Sequence, residues 1–407
     1  MLFDYFKTKE RKLWKSMYIF LCVFSIIANI LVIGMDFQNS GWDFALYCSA
    51  VRAFNDNKDP YILGNLKTYS GSDNIFISNH IFIYPPLSLI LLKPLCLLNS
   101  KIVYYILWII LLLTTFSIIR KLGNREDLLL ITLLTTGFIA SYWNFLTGNI
   151  GIIELFLFSI AYWSIVKERY HASSLTIALT AFFKIMPIAF SSLFIFVKKS
   201  YIERFKIIVL SFTLLITFYL VSYMLLPELT HSYYLSMTGN LKGQPNPTTL
   251  LALDTGPTFY FLIRDVLKSF NLNEPIYLLI LSIVFISFVG LALFFYYKRE
   301  NTFLRIFSFG VISILIILPR LKEYSFMLAL IPLYFLIKDY NFKVKSFSIF
   351  VISVLPLISK LTLQSSIFVK ENIIFEYSQF ICLFIIFICI LILDTMLHKS
   401  PNDTSIN

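Results

Sequence analysis

Apolar residues along this chain fall into long runs separated by short polar connections. An α-helix of roughly 20 apolar residues crosses about 30 Å of hydrocarbon and satisfies its own backbone hydrogen bonds there. The pattern predicts an all-α, polytopic membrane protein, a bundle of about twelve transmembrane helices. The predicted spans cover residues 17–35, 81–98, 102–119, 128–142, 150–166, 175–197, 207–226, 275–297, 303–318, 325–337, 347–361 and 373–397.

Two of the polar connections are long, 36–80 and 227–273, and the others are too short to form a separate soluble domain. We therefore predict one integral-membrane domain over residues 1–407. Its spans within 17–226, together with the external loop 36–80, form the core in which we expect the chemistry. Residues 227–273 form a second external loop, and 274–397 hold the C-terminal spans.

Composition and charge agree with this class and set an orientation. Of the 407 residues 58% are hydrophobic and only 14% are charged, which excludes a soluble globular chain. The first span follows several basic residues and lacks a small-residue cleavage site, so we predict a retained anchor with a cytoplasmic N-terminus. Basic residues at Lys198, Lys298 and Lys338 mark further cytoplasmic loops, and both long loops then lie outside.

The net charge of +11 follows from this orientation. The basic residues do not cluster with aromatic residues on a soluble surface, as nucleic-acid binding would require. We therefore exclude nucleic acid as a partner and expect membrane lipids instead.

Two runs do not fit simple crossings. If 81–98 and 102–119 both crossed, Arg120, Lys121 and Arg125 would lie outside, against the positive-inside rule, so one of the two runs is expected to be a partial or re-entrant helix. The run 175–197 is interrupted by Lys184 and Pro187, which favours two half-helices.

The positions of the cysteines and histidines argue against a disulfide-linked fold and against a metal site. Four cysteines lie in apolar runs and only Cys48 lies in an external loop, so no disulfide is expected. The four histidines are scattered, and the external loops carry no Asp-x-Asp element. We expect neither a metal ion nor another cofactor. The cysteines in the apolar runs are Cys22, Cys96, Cys382 and Cys389.

The most polar passage near the N-terminus covers residues 40–61. Ser40 and Asp43 match a capping box, and Asp43, Tyr47 and Phe54 recur at helical spacing, so we predict an amphipathic helix along the membrane surface. A carboxylate at a membrane boundary costs about 3 kcal/mol unless it is paired. Asp43 is therefore either a helix cap or a functional acid.

Five short segments, read in order, carry a resemblance to a known family. They are Trp42 to Ala50 (WDFALYCSA), Asp59 to Tyr61 (DPY), Tyr84 to Leu87 (YPPL), 144–151 (NFLTGNIG) and 183–187 (FKIMP). Together they resemble glycosyltransferase family 87, the polyprenol-phosphate-mannose-dependent mannosyltransferases of the GT-C superfamily.

The resemblance is weaker in the C-terminal half. Some members carry a histidine in a Ser-Pro-x-x-Trp-x-His type segment, whereas this chain has LPRLKEY over 318–324, with Arg320 and Lys322 as alternative sources of positive charge. Residues 246–250 (NPTTL) loosely match the family's Asn-x-Ser segment. The departure at 318–324 leaves the acceptor and the sugar open.

The resemblance implies a GT-C-like fold and an inverting transfer of a hexose, in that family mannose, from a polyprenyl-phosphate sugar to a lipid or glycan acceptor. The reaction would take place on the extracytoplasmic face of a bacterial cytoplasmic membrane. Asp43 would be the general base. The residues implied to contact the donor phosphate or sugar are Lys184, Arg320, Lys322, Tyr84, Asn149 and Tyr47.

Other interpretations of these residues remain open. Lys184 is also compatible with snorkelling to an interface, Arg320 and Lys322 with a basic loop flank, and Tyr84 with an interfacial aromatic at a proline-initiated helix start. A polysaccharide polymerase or ligase would also be polytopic. A transporter or flippase would use Lys184 and the intramembrane Glu154 as a translocation pair.

Overall fold

The computed structural model describes residues 2–36, 40–70, 81–97, 100–123, 126–241, 256–270, 272, 275–300, 302–319, 321–364 and 377–397. These residues are helical or lie in connections, and none of them forms a strand. The all-helical prediction is therefore confirmed. The α-helices are α1 (Leu2–Asp36), α2 (Trp42–Asn55), α3 (Leu63–Tyr69), α4 (Leu87–Cys96), α5 (Ser100–Leu122), α6 (Asp127–Thr136), α7 (Ala140–Thr147), α8 (Gly151–Val166), α9 (Tyr170–Phe183), α10 (Tyr201–Leu225), α11 (Pro227–Thr238), α12 (Phe259–Ser269), α13 (Pro275–Arg299), α14 (Phe303–Ile317), α15 (Met327–Ile337), α16 (Phe342–Ile349), α17 (Leu355–Gln364) and α18 (Ser378–Leu397).

Within the described ranges, 6 helical segments are long and apolar enough to cross a membrane. They are Thr8–Gly34, Lys101–Leu122, Asp127–Thr147, Tyr201–Leu225, Pro275–Arg299 and Phe342–Leu361. Further apolar helices of 10–17 residues are Leu87–Cys96, Gly151–Val166, Met186–Phe196, Phe303–Ile317, Glu323–Ile337 and Ser378–Asp394. The chain is a multi-pass membrane protein, but twelve full crossings are not confirmed.

Burial separates a central group of helices from a peripheral one. Every residue of α15 is buried, and α8 and α14 are largely buried around it. In contrast, only 11% of the most apolar 18-residue stretch of α13 is buried, and that helix exposes large apolar side chains along its length. A helix that is apolar all round and mostly exposed is suited to contact with lipid.

The run 81–98 forms only a ten-residue helix, α4. Pro85 and Pro86 stand directly before it, and their fixed φ angles suit the first turn of a helix but not its interior. α4 packs against α2, and the long helix of this region is the next one, α5. The expectation that one of the two runs is a partial helix is confirmed.

A disulfide joins Cys48 in α2 to Cys96 at the end of α4, with their Cα atoms 5.1 Å apart. The expectation of no disulfide was wrong. It assumed that Cys96 lies inside a full crossing, whereas α4 is short and ends beside α2. The bond ties the helix that carries Asp43 to its neighbour.

The run 175–197 is interrupted as predicted. α9 ends at Phe183, Lys184 has an extended backbone (φ −136, ψ 121), and a 3-10 helix follows over Met186–Phe196 with Pro187 in its first turn. The break leaves Lys184 between the two helices, so that its side chain reaches the neighbouring helices.

A second interruption separates α6 from α7. Phe138 and Ile139 both have a positive φ of 50, which is rare for residues with a Cβ. Gln379 of α18 donates a hydrogen bond of 2.8 Å to the carbonyl of Phe138, which helps to satisfy a backbone group released by the break. α7 then leads into the turn at 144–151.

Candidate active site

Helix α2 begins differently from the predicted capping box. Its N-cap is Gly41 (φ 85), and the N–H of Gly41 donates to the carbonyl of Leu146 at 2.6 Å. The hydroxyl of Ser40 instead accepts a hydrogen bond of 2.6 Å from Tyr105. The assignment of Ser40 as the N-cap was therefore wrong, because a contact from α5 uses its side chain.

The turn at 144–151 lies directly against the start of α2. Gly148 has a left-handed backbone (φ 76), and a Cβ added there would lie 2.8 Å from the Cβ of Phe44. The hydroxyl of Tyr104 donates to the carbonyls of Asn144, at 2.6 Å, and Asn149, at 3.1 Å. These contacts place the side chain of Asn149 beside the first turn of α2.

Asn149 is the centre of a hydrogen-bond network. Its Nδ2 donates to Oδ2 of Asp43 at 2.8 Å and to the hydroxyl of Tyr47 at 3.1 Å. Its Oδ1 accepts from Nζ of Lys184 at 2.9 Å and from the N–H of Gly151 at 3.1 Å. The amide nitrogen thus faces two acceptors and the amide oxygen faces two donors, which determines the orientation of the Asn149 side chain.

The tyrosines extend this network. The hydroxyls of Tyr47 and Tyr84 are 2.9 Å apart, and the hydroxyl of Tyr61 donates to the carbonyl of Tyr84 at 2.7 Å. Burial raises the pKa of both Tyr47 and Tyr84 well above the ordinary phenol value, and neighbouring tyrosines and Asp43 add to the shift. Both phenols therefore stay protonated near neutral pH and can donate hydrogen bonds.

Lys184 brings a cation into this network. Its Nζ lies 3.3 Å from Oε2 of Glu154 and 4.3 Å from the centre of the Tyr324 ring. The Glu154 side chain is only 2% exposed, and its Oε1 has no hydrogen-bond partner among the described residues. A buried carboxylate needs a cation nearby, and Lys184 provides it.

The segment before α15 closes this side of the site. The carbonyl of Tyr324 accepts a hydrogen bond of 3.0 Å from Nδ2 of Asn144. This contact ties the C-terminal spans to the turn that carries Asn149, so both halves of the chain build the site. Lys322 is partly buried two residues earlier in the chain.

The structure thus joins most of the residues proposed from sequence. Arg320 and the segment 246–250 lie outside the described residues. Sequence reasoning missed Tyr324, although the segment that contains it was noted. The predicted residues that share one hydrogen-bond network are Asp43, Tyr47, Tyr84, Asn149 and Lys184.

The transporter interpretation pairs Glu154 with Lys184. The ion pair does form, but it lies in the same network as Asp43. Among the side chains that the structure describes, no group of three or more His, Cys, Asp and Glu residues is arranged to hold a metal ion. The charged groups that this network brings together are two carboxylates, those of Asp43 and Glu154, and the ammonium of Lys184, and neutral hydrogen-bonding groups surround them.

A family model described as Glycosyltransferase family 87 matches residues 82–319, which is more than half of the chain. The matched range contains Tyr84, Asn149, Glu154 and Lys184, whereas Asp43 precedes it. No curated protein matches the chain.

Proposed function

The chain belongs to glycosyltransferase family 87 and is a membrane glycosyltransferase that acts on a sugar donor and an acceptor, and we propose that it transfers a hexose, mannose, from a polyprenyl-phosphate sugar to a lipid or glycan hydroxyl. The observation that carries this proposal is the amide of Asn149, which contacts the Asp43 carboxylate on one side and the Lys184 ammonium on the other. A base and a cation on either side of one amide fit a reaction that removes a proton and releases a phosphate.

Asp43 is the general base of this proposal. The acceptor oxygen attacks the anomeric carbon, its proton passes to the carboxylate, and the bond from that carbon to the phosphate oxygen breaks. The electron pair of the broken bond leaves with polyprenyl phosphate. One carboxylate is enough for an inverting displacement through an oxocarbenium-like transition state. The hydrogen bond from Asn149 holds the carboxylate in place.

Lys184 is the cation that faces the departing phosphate. Its side chain starts at the helix break and is 16% exposed, so it is not sealed inside the protein. A positive charge beside the leaving oxygen stabilises the charge that develops there. Lys322 and Arg320 are proposed as further cations, and Tyr47, Tyr84 and Asn149 as hydrogen-bonding contacts to the sugar.

We place the site on the extracytoplasmic face of a bacterial cytoplasmic membrane, with the N-terminus in the cytoplasm. Two observations support this orientation. The disulfide between Cys48 and Cys96 lies in the helix pair that carries Asp43, and disulfides persist in oxidising compartments. Connections such as the one that begins at Lys198 are rich in basic residues, as cytoplasmic loops are.

The test uses purified protein in detergent with short-chain polyprenyl-phosphate sugars and measures the release of polyprenyl phosphate. Asp43→Asn should abolish release while the protein stays folded, because the amide cannot accept the proton. Asp56→Asn, at the exposed end of the same helix, is the matched control and should keep turnover. Normal turnover in Asp43→Asn would refute the base assignment, and no release from any such donor by the wild type would refute the donor class.

A further inference from the structure

Glu154 is a buried carboxylate to which the proposed reaction gives no role. It lies in the first turn of α8, where burying an unpaired charge would be costly. Its Oε2 contacts Lys184 at 3.3 Å, and its Oε1 is without a hydrogen-bond partner in the described structure. A half-satisfied acid at the centre of a site needs an explanation beyond packing.

The contacts of Lys184 connect Glu154 to Asp43, the proposed base. An ammonium group has three N–H donors, and three described groups lie around that of Lys184: Oδ1 of Asn149 at 2.9 Å, Oε2 of Glu154 at 3.3 Å and the ring of Tyr324 at 4.3 Å. The ammonium fixes the amide oxygen of Asn149 on its own side. The amide nitrogen is thereby directed at Asp43, 2.8 Å away.

We propose that Glu154 is a positioning residue that acts on Asp43 through Lys184 and Asn149, a role whose catalytic consequence rests on the proposed function. Glu154 neutralises Lys184 and keeps its ammonium on Asn149. The amide then holds the Asp43 carboxylate without exposing it to an uncompensated positive charge. A base that faces an uncompensated cation would bind its proton too weakly to remove one from a hydroxyl.

The consequence can be stated as a change in the proton affinity of Asp43. Glu154→Gln removes a negative charge but keeps the shape of the side chain. Lys184 then carries an uncompensated positive charge beside Asn149, which favours the ionised form of Asp43 and lowers its pKa. Removing Lys184 as well, in Glu154→Gln/Lys184→Met, eliminates that charge, while the N–H of Gly151 still holds the amide oxygen of Asn149, so the wild-type pKa should return.

The other titratable groups around Asp43 are the same in these variants. They come from α2, from the segment before α4, from α5 and from the segment before α15. Any difference in titration between the variants therefore reports on the Glu154–Lys184 pair. These groups include Tyr47, Tyr84 and Tyr104, which interact electrostatically with Asp43, Lys101, which lies beside Gly41, and Tyr324, which interacts with Tyr47 and Tyr84.

The experiment measures the pKa of Asp43 without substrate. A hydrophobic carbodiimide reacts with protonated carboxyl groups, so the labelling of Asp43, quantified by mass spectrometry across pH, gives the midpoint of its titration. We expect Glu154→Gln to lower this midpoint by about one pH unit, the effect of one charge at several ångströms inside a protein. The double variant should return to the wild-type midpoint.

Two controls separate this role from simple packing. Glu154→Asp keeps the charge and should keep the midpoint, and it serves as a folding check if Glu154→Gln is unstable. Glu126→Gln removes a carboxylate whose partner is Lys345, outside the network, and should leave the midpoint unchanged. Equal midpoints in the wild type and Glu154→Gln would overturn the inference, and so would a shift that persists in the double variant.

The labelling result and the transfer assay can fail separately. If the midpoints shift as expected but the wild type releases no polyprenyl phosphate, the network acts on Asp43 and the proposed function is wrong. If the protein transfers sugar but the midpoints coincide, the proposed function holds and Glu154 has no such role.

Discussion

Asn149 donates a hydrogen bond of 2.8 Å to the carboxylate of Asp43, across 106 positions of sequence. The oxygen of the same amide accepts a hydrogen bond from the ammonium of Lys184. Asn149→Asp would place a second carboxylate where the amide donates, so one of the two acids must take up a proton or turn away. We expect turnover to fall by about 100-fold or more, the usual contribution of a positioned general base.

The measurement for Asn149→Asp is the initial rate of polyprenyl phosphate release at saturating donor. Asn55→Asp introduces the same change at an exposed position near the end of α2 and should leave the rate unaltered. A rate for Asn149→Asp within about threefold of the wild type would show that Asp43 does not depend on this amide; threefold is small beside the roughly 100-fold expected from a general base.

A substitution at Gly148 tests the close contact between the turn at 144–151 and helix α2. Gly148→Ala combines a left-handed backbone (φ 76) with a Cβ that would lie 2.8 Å from the Cβ of Phe44. The backbone conformation alone costs about 1 to 2 kcal/mol for a residue with a Cβ, and the clash moves Asn149 away from Asp43. We therefore expect both a lower unfolding temperature and a loss of turnover.

Gly64→Ala is the matched control for this substitution. An added Cβ at Gly64 meets nothing within 4 Å, and the residue lies in the short helix α3. Alanine there should leave stability unchanged or raise it slightly, because it restricts the unfolded chain. If Gly148→Ala behaves like Gly64→Ala in thermal unfolding, the close contact with Phe44 is not formed in the protein.

The disulfide predicts a dependence of stability on reductant. Cys48→Ser/Cys96→Ser should lower the free energy of unfolding by about 2 to 4 kcal/mol, because the unfolded chain gains freedom when the cross-link is lost. Wild-type protein should lose the same stability when a reductant is added, whereas the double variant should not respond. Cys389→Ser, at a free cysteine, is the control and should keep the response to reductant.

Local signals in the sequence were sufficient for part of this architecture. The break at Lys184 and the short helix after Pro86 follow from prolines and charges that interrupt apolar runs, which act through the backbone at their own positions. The five segments in family order placed Asp43, Asn149 and Lys184 among the candidates.

The remaining features depend on packing between distant segments. Ser40 fits a helix cap by its position, yet Tyr105 of another helix uses its hydroxyl. Cys96 fits an apolar span, yet α4 is short enough to end beside Cys48. Tyr324 covers Lys184 from the C-terminal half, 140 positions further along the chain, which no local pattern indicates.

The buried phenols predict a fall of stability at alkaline pH. Burial raises the pKa of Tyr47 and Tyr84 in the folded state, so the folded protein holds these protons more tightly than the unfolded chain. Their contribution to stability is complete below about pH 10, the unfolded value, and is lost as pH rises above it. The free energy of unfolding of the wild type should therefore decline between about pH 10 and 11.

Tyr47→Phe/Tyr84→Phe should show a smaller decline over the same pH range, because neither ring can lose a proton. Tyr201→Phe, at a tyrosine that is 82% exposed, is the control and should follow the wild type. Denaturant unfolding at a series of pH values measures the slopes. Equal slopes in the wild type and the double variant would mean that these two phenols do not retain their protons more tightly in the folded protein.

A substitution at Lys184 distinguishes binding of the donor phosphate from snorkelling of the side chain to the membrane interface. Lys184→Met removes the charge but keeps an unbranched apolar chain, so a side chain that only reached an interface would lose little. If the ammonium stabilises the donor phosphate, the KM for the donor should rise by about tenfold or more, since a hydrogen bond to a charged group contributes about 1.5 to 3 kcal/mol. Lys199→Met, at an exposed lysine, is the control. Donor KM values that match in Lys184→Met and Lys199→Met would remove Lys184 from the phosphate site and leave it as the partner of Glu154 and Asn149 alone.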